Sequence, residues 1–335
     1  MRSVNPFLFR RLVGPSGLGL LLVLATACGS TRPLTVPPAL TGGGCAPWSA
    51  ADSVAAAPRP ALQMAGLDTT LTHRFSAASL HTAHAFWLLP PLAAYAQARR
   101  QYRRQPTLAG RVAVLEHRQQ LSQRLTQAQL EVATVASQLD CQEEQADQLA
   151  GFMANRASEA ETRLTAASIV VGAVGSVAVG ALFFNNKGGK ADELIGIGTG
   201  LAGAGLGLRI LRNARRPPTV LVAHARNPLG AVWAGDNAAG LFPPAVWYYL
   251  TQPHPAAPGQ PPVLERLRAD WTRYGQLGPE NSKERTRLTQ LFFGAGGAYT
   301  AAELGTRADM HDELESQVNL LQRDLARLSR ELVDF

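Results

Sequence analysis

The chain has 335 residues, a formal net charge of +7 and three cysteines. Without the three arginines of residues 1–27 the charge is +4, too mild to argue for a nucleic-acid binder, which concentrates a basic patch on one face. The cysteines form no CxxC pair or metal-like cluster, and no GxSxG, HExxH or Walker A pattern occurs, so the readily recognised hydrolase, metalloprotease and nucleotide-binding classes are set aside.

The first 27 residues have the make-up of a secretory signal peptide. Arg2, Arg10 and Arg11 give a positive head, Leu12 to Ala27 carries no charge, and Leu18–Ala27 is continuously apolar. That apolar run is too short for a permanent membrane helix, which needs about 20 residues. It ends in Ala25-Thr26-Ala27-Cys28, which resembles the lipobox of bacterial lipoproteins. The resemblance implies that Cys28 is lipidated and becomes the first residue. It also implies a cell-envelope location and, with Gly29 following and no acid near, the outer membrane facing the periplasm. A plain signal peptide, or an uncleaved anchor, is the other reading of the same residues. Cleavage before Cys28 removes three arginines and lowers the charge to +4.

Residues 28–60 are dominated by Pro, Gly, Ser, Thr and Ala without apolar periodicity and read as a flexible tether. With Cys28 lipidated, Cys45 and Cys141 remain, and an even remainder in an oxidising compartment predicts one disulfide pinning the tether to a long helix. Two free thiols are the alternative, because a bridge needs Cα atoms within about 7 Å.

Residues 61–163 read as a helical, coiled-coil-like region. Within 61–107, His81 and His84 stand three apart with His73 nearby, a minimal hint of metal binding. No carboxylate or cysteine completes a ligand set, so these read as surface histidines and no metal or other cofactor is expected. Arg99, Arg100, Arg103 and Arg104 form either a solvated face or a surface resting on anionic headgroups near the lipid anchor. From Val114 onward Leu121, Leu125, Ala128, Val132, Val135, Leu139, Ala146, Leu149 and Met153 alternate steps of three and four. That heptad seam predicts one helix over 114–163, roughly 75 Å long at 1.5 Å per residue.

Residues 164–211 hold two uncharged stretches, expected as helices over 164–184 and 194–211 and joined by NNKGGKADE. Small residues recur every fourth position: Ser168, Gly172, Ser176 and Gly180, then Gly196, Gly200 and Ala204. Such stripes let helix backbones approach closely. The pair resembles the glycine-zipper two-transmembrane segments of some bacterial envelope lipoproteins, which implies a hairpin that packs on itself and inserts in a membrane. Stowage inside a helical bundle, or insertion on a trigger, are the alternatives.

Residues 212–283 are rich in Pro and aromatics and read as irregular, with one short strand in PPTVLVAHARNP. Trp247, Tyr248 and Tyr249, with Trp233, Trp271 and Tyr274, form either a packed cap or a partner surface. His224 and Asp236 lie in this region without a nucleophile motif. Residues 284–335 read as C-terminal helices whose Leu314, Val318, Leu321, Leu325, Leu328 and Leu332 form a second seam. It predicts antiparallel pairing with the long helix, or association with another copy or another envelope protein. The expected fold is mainly α, with the long heptad helix and the C-terminal helix bundled around or beside the Gly-rich hairpin. The expected function is a non-enzymatic envelope lipoprotein of structural or adaptor role, with membrane lipid as partner. A conditional, pore-forming-like membrane inserter and an envelope enzyme with a site near His224 and Asp236 are the rivals.

Overall fold

Helix ends in this chain are set by local chemistry. In the computed structural model, which describes Cys45, residues 60–184, Gly205, Gly207, 217–255 and 257–335, three helices come first: α1 (Thr69–Arg74), α2 (Ala77–Ala85) and α3 (Leu89–Arg104). Asp68 Oδ1 accepts from the Thr70 amide at 2.8 Å and Ser76 Oγ from the Ser79 amide at 3.2 Å, each satisfying a donor that a helix start leaves open. Just past the end of α2, Trp87 has a φ of 59°, a left-handed conformation that bulky residues rarely adopt. Pro90 then lies in the first turn of α3, where a missing amide costs nothing.

α4 runs without a break from Leu108 to Phe184. Its 77 residues span roughly 115 Å at 1.5 Å per residue. It begins six residues before the expected Val114, because Thr107 caps it: Thr107 Oγ1 accepts from the Gly110 amide at 3.0 Å. It also passes through the expected boundary at 163/164. Every seam residue from Leu121 to Leu149 is buried.

The described residues fall into two units, one holding Cys45, residues 60–152 and the chain from Thr219 onward, the other holding 153–184, Gly205, Gly207 and 217–218. In the first, α4 packs against the C-terminal helix α9 (Ala301–Asp334). The direction is antiparallel. Leu121 and Leu125 share a narrow apolar cavity with Leu328 and Leu332, and Asp140 and Glu143 stand beside Glu315. Leu314, Val318, Leu321, Leu325, Leu328 and Leu332 are all buried. α9 opens on a reciprocal cap, in which Thr300 Oγ1 accepts from the Glu303 amide at 3.3 Å and Glu303 Oε2 accepts from the Thr300 amide at 2.7 Å.

The Pro/aromatic stretch, expected to be irregular, carries β1 (Val220–Ala223) and three short helices, α5 (Pro228–Ala234), α6 (Pro244–Thr251) and α7 (Val263–Arg273). Irregular chain joins them and follows α7 up to Ser282. Prolines that read as breakers start these helices: Pro228 and Pro244 are first residues and Pro262 precedes α7. α8 (Lys283–Phe293) and β2 (Gly296–Tyr299) lead into α9. β1 and β2 pair antiparallel, Val220 opposite Tyr299 and Ala223 opposite Gly296. Gly296 has φ 94° and faces the Val222 carbonyl, where a side chain has no room. The aromatics form the interior of this cap: Trp271, Tyr248 and Tyr249 are buried, and Trp233 stacks on Phe293 with ring centres 4.4 Å apart. Tyr274 stays exposed.

In the second unit α4 continues to Phe184. Ser168 is half-buried and its hydroxyl donates to the Thr165 carbonyl at 2.7 Å, while Ile169, Val170 and Gly172 are exposed. Among the described residues no helix is long and apolar enough to cross a membrane. Ser176 and Gly180 fall on the α4 backbone, but their surroundings lie outside the described residues, as do Gly196, Gly200, Ala204, Cys28 and the signal-like segment.

Candidate functional site

Three places in the first unit gather chemically capable side chains. The first is where Cys45 meets α4. Cys45 and Cys141 are joined as a disulfide with Cα atoms 5.7 Å apart, inside the range a bridge requires. One and two residues from Cys141 on α4, Asp140 and Glu143 approach Glu315 of α9, with one carboxylate oxygen of each within 4.8 Å of the others. Burial, then the charges of Asp312, Glu315 and Asp140, raise Glu143 above the usual carboxylate range. Burial likewise raises Glu315, against a bond from Asn319. Oxygen donors in such a group suit a hard divalent cation. Among the described residues this is the one group of acids, histidines and cysteines close enough to hold one. Asp140 is exposed and the other two are half-buried, as in many acidic surface clusters that hold nothing.

The second place is the junction of α2, α6 and α9. α2 is buried on nearly every side, from Ala78 through Ala83. The expectation of surface histidines is therefore corrected: His73 is exposed and His84 half-buried, but His81 is 3% exposed. The His81 ring lies 5.0 Å from that of Tyr248 and, edge-on, 5.4 Å from that of His254. His254 Nε2 is 3.1 Å from Asp324 Oδ2 on α9. Neither ring nitrogen of His81 has a hydrogen-bond partner among the described residues. Burial first, then the neighbouring His254 and His84, push His81 down to about 4. Burial, then Asp324, pushes Tyr249 up to about 12. Residues 60–62 enter here too, with the Leu62 amide donating to the Tyr248 hydroxyl at 3.0 Å and the Pro60 carbonyl 3.0 Å from His84 Nε2.

The third place closes the end of α8. A helix end leaves carbonyls without partners, and here side chains supply them. The Tyr299 hydroxyl donates to the Leu291 carbonyl at 2.7 Å, and the Phe292 carbonyl accepts from Asn227 Nδ2 at 2.8 Å and Arg307 Nη1 at 2.9 Å. Asn227 Oδ1 accepts from Arg307 Nη2 at 3.3 Å. His224 Nε2 sits 3.2 Å from the Tyr299 oxygen. Burial, then Arg307, pushes His224 down to about 4, and burial pushes Tyr299 up to about 12 and Arg307 down to about 10. His311 is fully buried one turn along α9, its pKa held well below the ordinary histidine range by burial. His224 thus finds Tyr299, Asn227 and the Gly294 carbonyl. Asp236 instead accepts from the Ala238 amide at 2.8 Å in its own turn. The bonds of this group go to backbone carbonyls and to one another, which stitches α8, α9 and the β1–α5 connection together. Asn227 carries no local sequence signal for this group, standing 65 residues from Phe292 and 80 from Arg307 across its bonds.

No family of known proteins matches the chain, and no curated protein or solved structure is similar to it.

Proposed function

We propose that the protein is a non-enzymatic cell-envelope lipoprotein, structural or adaptor in role, attached to a membrane through Cys28. The observation that carries this reading is the Cys45–Cys141 disulfide. Disulfides form and persist in oxidising compartments and are rare in reducing ones, and this one fastens the segment just after the lipobox-like cysteine to the longest helix. The clustered polar groups support the non-enzymatic half, because those around His224 are engaged in closing the end of α8. The heptad faces are satisfied within the chain, so a partner meets the outer surface of the bundle.

Replacing residues 1–28 by an ordinary cleavable signal peptide tests this anchor against insertion of the uncharged stretches of 164–211. After an alkaline carbonate wash, retention with the membrane supports the inserted hairpin, and release leaves Cys28 as the anchor. An N-terminal peptide of the unaltered protein that lacks an acyl group on Cys28, with Cys45 and Cys141 recovered as free thiols, overturns the reading.

A further inference from the structure

The basic run where α3 meets α4 takes no part in the clusters described above. The corner is fixed. Only three residues separate Arg104 from Leu108, Thr107 caps α4, and Tyr102 lies so near Gly110 that a Cβ there would stand 3.3 Å from its ring. On the first two turns of α4, Leu108, Val112 and Leu115 are spaced four and three apart, which puts them on one side of the helix. They are 78%, 45% and 54% exposed, while the buried seam beginning at Leu121 uses the opposite side.

Charge surrounds this strip. Residues 97–124 contain seven arginines and one acid, Glu116. Two of the arginines are used within the fold: Arg100 pairs with Asp68 at 3.2 Å, and Arg99 lies over the rings of Phe335 and Tyr95. Arg103, Arg104 and Arg111 are exposed and form no ion pair among the described residues. An apolar strip beside uncompensated cations matches an anionic lipid surface, into which the leucines enter at headgroup depth while guanidinium groups meet phosphates.

We propose that this corner is an interfacial contact, lying on the anionic headgroups of the membrane that holds Cys28. The proposal rests on the reading of Cys28 as a lipid anchor. The chain allows it: the seventeen residues from Cys28 to Cys45 reach at most about 58 Å when extended. From Cys141 to Arg111 along α4 is about 45 Å at 1.5 Å per residue.

The test uses the full-length protein with Val112→Cys carrying an environment-sensitive fluorophore, on vesicles of phosphatidylcholine with or without phosphatidylglycerol. Quenching of the label by a headgroup spin-labelled lipid on the anionic vesicles alone, reversed by high salt, supports the contact. Arg103→Ala with Arg104→Ala should lower the docked-to-undocked ratio about 30-fold, at the worth of two arginines near an anionic surface. Equal quenching on both vesicle types overturns the proposal. Equal access of an aqueous quencher on both also overturns it, and leaves the face for an acidic protein. The acyl mass on Cys28, read from the same preparation, separates the two ideas. If it is missing, the anchor fails, and the contact is then read from whether the whole chain binds the anionic vesicles from solution in preference to the neutral ones.

Discussion

Acidification should loosen the junction of α2, α6 and α9 through His81. Its ring is buried against Tyr248 and His254, and both nitrogens lack partners among the described residues. Burial and the nearby histidines hold it down to about 4, whereas an unfolded chain binds the proton at about 6.5. The unfolded state therefore takes up the proton first. The stability contributed by the neutral ring is complete above about pH 6.5 and is lost as the pH falls toward about 4. Between about pH 7.5 and about pH 5 the linkage relation gives a loss of about 2 kcal/mol, rising toward about 3.4 kcal/mol in stronger acid. His81→Phe keeps a ring of similar size and removes the titration. Urea denaturation of both proteins at the two pH values should show the wild type losing about 2 kcal/mol more than the variant. His224, also held down to about 4, titrates in both and cancels in the comparison. Identical pH dependence of the two proteins would refute the argument, because it would mean that His81 is protonated as easily in the fold as outside it.

Other outcomes follow from the same structure. Leu139→Ala on α4 or Leu321→Ala on α9 removes a seam side chain that is at most 1% exposed and should cost about 2 to 5 kcal/mol in chemical denaturation. A loss well under that range means that the two seams do not face each other. Thr300→Ala breaks one half of the reciprocal cap of α9 and should cost about 1 kcal/mol in the same measurement. Replacing Cys45 and Cys141 by serine, or adding reductant, opens a link between residues 96 apart in sequence, for which chain entropy sets a ceiling of about 4.7 kcal/mol. The denaturation midpoint should fall, and an unchanged midpoint with and without reductant counts against the bridge.

The heptad seams were the most legible part of the chain. Their spacing names the buried residues one by one, because a 3.5-residue period constrains a helix face over many turns. Helix ends were harder to read. α4 starts at Leu108 since a threonine oxygen caps it, a local event that the apolar pattern beginning at Val114 does not show. Pro228 and Pro244 misled in the opposite direction, because a proline ends a helix from inside and begins one from its first position. The polar groups were the least legible. His81 and His84 at a three-residue spacing look like one exposed face, yet α2 is enclosed from both sides and hides His81 completely. Arg307, Asn227 and Tyr299 meet only because α8 ends beside them, and nothing in the residues adjacent to any of the three announces that meeting.

The bridge between Cys45 and Cys141 encloses α1, α2, α3 and the first part of α4 in a covalent ring. The connection Gln105-Pro106-Thr107 is exposed and lies within that ring, and exposed connections are where proteases cut. A molecule nicked there stays one covalent unit until a reductant is added. Reduction then leaves the cut-off piece held only by packing, chiefly that of α2 against α6 and α9, so damage at the surface and loss of the piece become separate events.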